Sequence, residues 1–223
     1  MSRQYKYPWH RVKPFAFYRL GMPIARLIVL VGYRMKVVGR ENLPKRSGGI
    51  ILASNHLHSV DPGFFTVASG GLPWRFIAKV ELFKLNWFAA WFMAHCNGFP
   101  VDRDGIDRQA LDYALRVMED GRAGLGIFPE GQRNSDQNGP PQEAKAGIAM
   151  IARKTKADIL PCSIYHEGPI KFRTKLTVRF GPIIPFEELG LGETPNKRQS
   201  KAACDKIMAE ITRLWEQGDA WKK

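Results

Sequence analysis

Asn55-His56-Leu57-His58-Ser59-Val60-Asp61-Pro62 sets a histidine five residues ahead of an aspartate. An imidazole oriented by a buried carboxylate is a general base suited to neutral pH, because the carboxylate fixes the tautomer and stabilises the cation that forms. Such a pair can activate a hydroxyl or a water for attack on a carbonyl carbon. The purely structural alternative for Asp61 is a helix N-cap, with Pro62 at the first helical position. One aspartate can serve both purposes.

The apolar, β-prone run Ile50-Ile51-Leu52-Ala53 ahead of the pair reads as a buried strand. A strand that delivers His56 at its C-terminal end, followed by one tight turn, brings the imidazole within reach of Asp61. Further strand-like segments at 35–38, 76–79, 98–101, 125–128, 159–165 and 176–180 alternate with helical ones at 62–68, 81–95, 107–120, 145–154 and 197–216. That alternation predicts an α/β fold: a mixed, largely parallel sheet flanked by helices. Residues 35–223 read as one domain, and 1–34 as a separate appendage.

A chain of 223 residues is long enough for a substantial core. Cys96, Cys162 and Cys204 show no C-x-x-C spacing and read as reduced, mostly buried thiols of an intracellular protein. The formal charge is +13, and the first 40 residues carry nine Lys or Arg and no Asp or Glu. Such an excess calls for an anionic partner, nucleic acid or anionic lipid. The residues between the charges, among them Phe15, Phe17, Leu20, Leu27, Ile28 and Val29, are strongly apolar. At 100° per residue Arg19 and Arg26 fall on one line, with Arg11 and Arg34 on the same side. This describes an N-terminal amphipathic helix for the membrane interface and disfavours nucleic acid; packing of the apolar face on the domain is the alternative. Arg19 and Arg26 interrupt the ~20 apolar residues that a membrane crossing needs. Pro23 is expected to kink or divide the helix, and no small-residue cleavage site of a signal peptide follows it.

A second strand with a polar, glycine-containing end is Leu125-Gly126-Ile127-Phe128-Pro129-Glu130-Gly131-Gln132-Arg133-Asn134-Ser135. Ligands of α/β proteins gather at such strand ends. Arg133 offers a planar fork suited to a phosphate, and Glu130 can hold the loop or the arginine. The segment 81–95 carries Phe83, Trp87, Phe88, Trp91 and Phe92 on a broad aromatic face. Core packing explains such a face, as does an acyl-chain tunnel or a membrane-contacting surface.

Taken together, these segments resemble the glycerolipid acyltransferase family, most closely the bacterial 1-acyl-glycerol-3-phosphate acyltransferases. The first motif of that family, Asn-His, four residues, then Asp and often Pro, is matched at Asn55, His56, Asp61 and Pro62. An apolar strand leading to an arginine is matched by Gly98-Phe99-Pro100-Val101-Asp102-Arg103. Phe-Pro-Glu-Gly-Thr-Arg is matched from Phe128 to Arg133, with Gln132 for Thr. A strand with a central proline is matched by Ile159-Leu160-Pro161-Cys162-Ser163. Lys79-Val80-Glu81-Leu82 and Lys145-Ala146-Gly147 resemble the family's Lys-x-Glu-Leu and Lys-x-Gly segments. His58 stands where many relatives carry serine.

The resemblance implies transfer of a fatty acyl group from acyl-CoA or acyl carrier protein to the sn-2 hydroxyl of a lysophospholipid acceptor, with no cofactor and no metal. It implies His56 as base and Asp61 as its orienting partner. Arg133, Lys79 and Arg103 would grip the acceptor phosphate, while Asn55, Glu130, Gly131 and Pro161 support the motifs. The location implied is the cytoplasmic face of an anionic phospholipid membrane. Three rivals remain at this level. His56-x-His58-x-x-Asp61 approaches a His-x-His-x-Asp-His metal-hydrolase pattern, with Asp61 one residue late and no histidine after it. A serine hydrolase lacks its Gly-x-Ser-x-Gly elbow. A non-enzymatic membrane- or nucleic-acid-binding protein would dispense with His56 and Asp61.

Overall fold

The structure, a computed structural model, describes residues 6–11, 16–102, 107–136, 138–194 and 196–222, with the backbone alone at 16–20. Its strands are β1 (Arg34–Val38), β2 (Ile50–Ser54), β3 (Trp74–Lys79), β4 (Gly98–Val101), β5 (Gly124–Ile127), β6 (Asp158–Tyr165) and β7 (Lys175–Phe180). Its α-helices are α1 (Ala16–Gly32), α2 (Asp61–Ala68), α3 (Val80–Lys84), α4 (Trp87–His95), α5 (Arg108–Asp120), α6 (Gly147–Thr155) and α7 (Lys197–Glu216).

The apolar run of β2 makes it the middle strand of a seven-stranded sheet in the order β1-β7-β6-β2-β5-β3-β4. A strand buried on both faces has no need of polar alternation. Ile51 and Ala53 point into one cluster with Tyr113 of α5, Ile148 of α6 and Ile207 of α7. Leu52 points the other way, toward Phe64 and Phe65 of α2 and Val29 of α1. All neighbouring pairs are parallel except β6 with β7. The mixed, largely parallel sheet expected from the sequence is the one observed.

Several elements differ locally from the expectation. The segment 81–95 is two helices, because Asn86 adopts extended backbone and its side chain accepts from Ala89 N–H, capping α4 anew. Pro23 lies inside α1 and does not divide it. Arg34 belongs to β1, so it shares no helical face with Arg26. α1 lays Met22, Ala25 and Val29 against the cluster under α2 and leaves Ile24, Leu27, Ile28, Leu30 and Val31 exposed. The three cysteines are free, Cys162 and Cys204 buried and Cys96 exposed. Among the described residues no helix is long and apolar enough to cross a membrane.

One contact in the sheet reaches the site. Phe76 of β3 lies flat across β5 at Gly126, where an added Cβ would come within 2.2 Å of its ring. Phe76 in turn stacks on Phe128, centroids 5.8 Å apart. Gly126→Ala is therefore expected to lower stability by about 1–3 kcal/mol, the usual cost of overpacking, measured as the shift in urea-unfolding free energy. A neutral substitution would mean that the Phe76 ring has room to retreat.

Candidate active site

β2, β3, β4, β5 and β6 run in one direction, so their C-terminal ends share one edge of the sheet, where open α/β sheets hold ligands. β2 ends at Ser54, and Asn55 follows, fully buried. Its side-chain amide donates to the carbonyl of Ile164 at 3.0 Å and its oxygen accepts the Ile164 N–H at 2.9 Å. This two-way clamp fixes the end of β2 to β6.

His56 comes next. Its Nδ1 lies 2.9 Å from Asp61 Oδ2. The same oxygen accepts the backbone N–H of Leu57 at 2.8 Å and of His58 at 2.7 Å. Asp61 is thus not an N-cap: Val60 holds that position, and the Asp61 carboxylate turns back to collect donors from the preceding turn. Because a carboxylate accepts, His56 carries its proton on Nδ1 and presents the Nε2 lone pair as a base. The His56 side chain keeps 12% of its surface exposed while Asp61 is entirely covered. The imidazole stacks on Phe128 at 3.9 Å between centroids and 14° between planes, which sets its tilt.

The β5 loop holds the other side of His56. Glu130, 2% exposed, accepts the His56 N–H on Oε1 at 2.8 Å and the Gln142 N–H on Oε2 at 3.2 Å. Burial pushes its carboxyl up, the two N–H donors pull it down, and Asp61 raises it again. Asn134 N–H closes the loop onto the His56 carbonyl at 2.8 Å. Gly131 turns with φ of 70°, and a Cβ there would meet the Lys145 side chain at 2.6 Å.

The residues expected to bind phosphate are placed as follows. Arg133 sits in that loop, next to Asn134, exposed and with no hydrogen bond or ion pair among the described residues. Lys79 ends β3 at the same edge, its side chain 55% exposed and 3.5 Å from Glu81. A surface pair of that kind holds a lysine weakly. Arg103 lies outside the described residues. Pro161 is away from the edge: it faces Ala53 inside the sheet, where its carbonyl accepts Gly181 N–H. Among the described residues no three His, Cys, Asp or Glu side chains converge as a metal site requires.

Sequence reasoning passed over His166. It follows β6 at the same edge, 3% exposed, with its ring 6.5 Å from that of His58. Its Nδ1 donates to the Gly168 carbonyl at 2.8 Å, which leaves Nε2 as a bare acceptor. Burial pushes this imidazole below the ordinary histidine range, against the Gly168 carbonyl and Asp61, while His58 adds to the depression. No local pattern marks His166; only the β6–β2 pairing brings it near. The stacking of Phe128 on His56 was equally invisible, although Phe128 opens the Phe-Pro-Glu-Gly segment.

Residues 34–165 match the Acyltransferase family, and the chain belongs to it. A 1-acyl-sn-glycerol-3-phosphate acyltransferase of Borreliella burgdorferi is 34% identical over 189 residues, covering 82% of this chain and 73% of that protein. The enzyme of that name from Streptococcus pneumoniae is 27% identical over 186 residues, covering 81% of this chain and 66% of its own length. In fold, the chain is similar to the crystal structure of the 1-acyl-sn-glycerophosphate (LPA) acyltransferase PlsC from Thermotoga maritima. The TM-score is 0.64, with 88% of this chain and 80% of that one covered at 23% identity.

Two expectations follow from the hydrogen bonding. Asp61→Ala strips the partner from two backbone N–H groups and one imidazole, and should cost about 3 kcal/mol or more; His56→Ala leaves those N–H bonds intact and should cost far less. Chemical denaturation of the two variants separates them, and equal losses would contradict the anchoring role of Asp61. For His166, a depressed folded-state value means that the unfolded chain takes up protons first as pH falls. Its contribution is full above the ordinary value of 6.5 and is lost as pH drops toward the folded-state value. Wild type should therefore lose more stability than His166→Asn between about pH 7.5 and about pH 5.5; parallel losses would refute this.

Proposed function

We propose that the chain moves a fatty acyl group from acyl-CoA or acyl carrier protein to the sn-2 hydroxyl of 1-acyl-glycerol 3-phosphate, giving phosphatidic acid for phospholipid biosynthesis. The observation that carries this reading is the His56 Nδ1–Asp61 Oδ2 contact at the ligand-bearing edge, with the uncommitted cation Arg133 in the loop that binds the His56 backbone. The names of the two bacterial relatives support the choice of acceptor.

In this mechanism His56 Nε2 takes the proton of the acceptor hydroxyl as its oxygen attacks the thioester carbonyl carbon. Asp61 stabilises the imidazolium. The C–S bond then breaks, the new ester remains on the glycerol, and the proton passes from His56 to the departing thiolate. No covalent enzyme intermediate is needed. Arg133 and Lys79, with Arg103, bind the phosphate and hold the hydroxyl at a fixed reach from His56. Residues 35–223 form the acyltransferase domain. Residues 1–34 associate with the anionic membrane surface on its cytoplasmic face, through the exposed apolar residues of α1 and the basic residues around them.

A related reading is an acceptor with another headgroup, or another lipid alcohol. It is favoured by His58, which brings a second imidazole beside the dyad, 6.5 Å from His166.

The test offers lysophosphatidate, glycerol 3-phosphate and lysophosphatidylcholine in parallel with one labelled acyl thioester. Acylation of lysophosphatidate above the others is expected, and His56→Ala should reduce it by about a thousandfold or more. Arg133→Ala should raise the acceptor KM about tenfold or more, the loss of a hydrogen bond to a charged group, with little change for the donor. Equal effects on both substrates would remove Arg133 from the phosphate site, and normal turnover by His56→Ala would end the mechanism.

A further inference from the structure

We propose that the α3–α4 hairpin is a second membrane-docking surface whose partner is an anionic lipid bilayer, set at the edge of the sheet where His56 opens. The proposal deepens the lipid-substrate reading above and rests on it for its purpose, though its geometry stands apart.

A helix that is apolar on every side belongs in an interior. α4, Trp-Phe-Ala-Ala-Trp-Phe-Met-Ala-His, has no charged side chain before His95, yet only one side of it is covered. Ala90 and Ala94 are fully buried against Phe83 and Ala78. On the opposite side Phe88 is 64% and Phe92 44% exposed, and Trp87, at the N-terminal end of the covered side, is 51% exposed. Leu85 and Leu82 of the preceding turn extend the patch. Trp87 stacks on Trp91 and Phe88 on Phe92, each at 6.3 Å, so the exposed rings form one surface. Isolated exposed apolar residues need no explanation, but a contiguous cluster marks a contact.

The cluster's composition selects lipid. From Leu82 to Val101 there is no Asp or Glu, and Lys84 stands at the margin of the patch. Tryptophan and phenylalanine with a flanking lysine suit the boundary between acyl chains and headgroups, and a chain of +13 is drawn to anionic lipid. A second copy of the chain is the weaker occupant, since a stable protein interface engages roughly 20–30 residues a side.

Topology gives the surface its place. β3 ends at Lys79 on the His56 edge, and α4 must return the chain to the start of the parallel strand β4. The N-terminal end of α4, with Leu85, Trp87 and Phe88, therefore faces that edge. Docking there would bring the bilayer to the mouth of the site, so that a lysophospholipid reaches His56 with its acyl chain still in lipid.

The experiment uses the full chain and sucrose-loaded vesicles of phosphatidylglycerol and phosphatidylethanolamine. Wild type should co-sediment with them, and brominated acyl chains should quench its tryptophan fluorescence. A Phe88→Ser/Phe92→Ser double variant that keeps the wild-type melting transition should bind at least about tenfold more weakly. Trp87→Phe, which preserves apolar bulk, should still bind but lose part of the bromolipid quenching. Vesicle binding by the double variant equal to wild type would overturn the proposal, as would unchanged quenching in Trp87→Phe. A wild-type dimer that the double variant dissolves would give the patch to a second copy instead. Absence of acyl transfer by a wild type that binds vesicles in this way would defeat the enzymatic reading and leave the docking surface standing.

Discussion

A single carboxylate oxygen organises this molecule's reactive edge. Asp61 Oδ2 takes three donors, the imidazole of His56 and the N–H groups of Leu57 and His58. A buried charge is costly unless hydrogen-bonded, and here the donors come from the turn that the charge must hold. The spacing between His56 and Asp61 follows from this. Four intervening residues are enough to bend the chain back so that its amides converge on the carboxylate at the first turn of α2. The turn and the orientation of the His56 ring are therefore stabilised by one interaction, which holds the imidazole in the orientation that exposes Nε2.

The remaining constraints come from far away in sequence and act on backbone rather than side chain. Asn55 binds both polar groups of Ile164, and Glu130 binds the His56 N–H, while Asn134 binds the His56 carbonyl. These contacts span the gaps between β2 and its two neighbours in the sheet, β6 and β5. His56 is thus gripped from both flanks, and its ring is supported from below by the Phe128–Phe76 stack that Gly126 makes room for. Preorganisation at this edge is a property of the sheet order.

That division also separates what could be read in the sequence from what could not. The β2 run, the α2 start and the His56–Asp61 pair were legible because each is local: an apolar run, a proline, a five-residue spacing. The role of Glu130 was legible only as a choice between holding the loop and holding Arg133; its actual partner, the His56 N–H, depends on β5 pairing with β2. His166 carried no signal, since its place beside His58 requires β6 to flank β2 on the other side. The break at Asn86 was missed because an aromatic run dominated the pattern, whereas a capping side chain decides where a helix begins. Likewise apolarity alone could not say whether Trp87, Phe88 and Phe92 would be covered by neighbouring protein. The sheet supplies no neighbour beyond β4 on that side.

The distribution of charge around the site follows one logic. The negative groups, Asp61 and Glu130, are buried, and Asp61 Oδ2 and both Glu130 oxygens accept N–H donors that set the geometry of the histidine, while Asp61 Oδ1 has no hydrogen-bond partner among the described residues. The positive groups described at this edge, Arg133 and Lys79, are exposed and are held weakly or not at all. Carboxylates that are spent on structure do not repel an anionic ligand as free ones would, because the donors around them offset their charge locally. Cations left in solvent keep their full capacity to bind one. With apolar rings exposed on α4 and aliphatic side chains on α1, the chain presents both kinds of surface that an amphiphile carries, and Arg133 and the weakly paired Lys79 lie on the edge where the His56 imidazole is held.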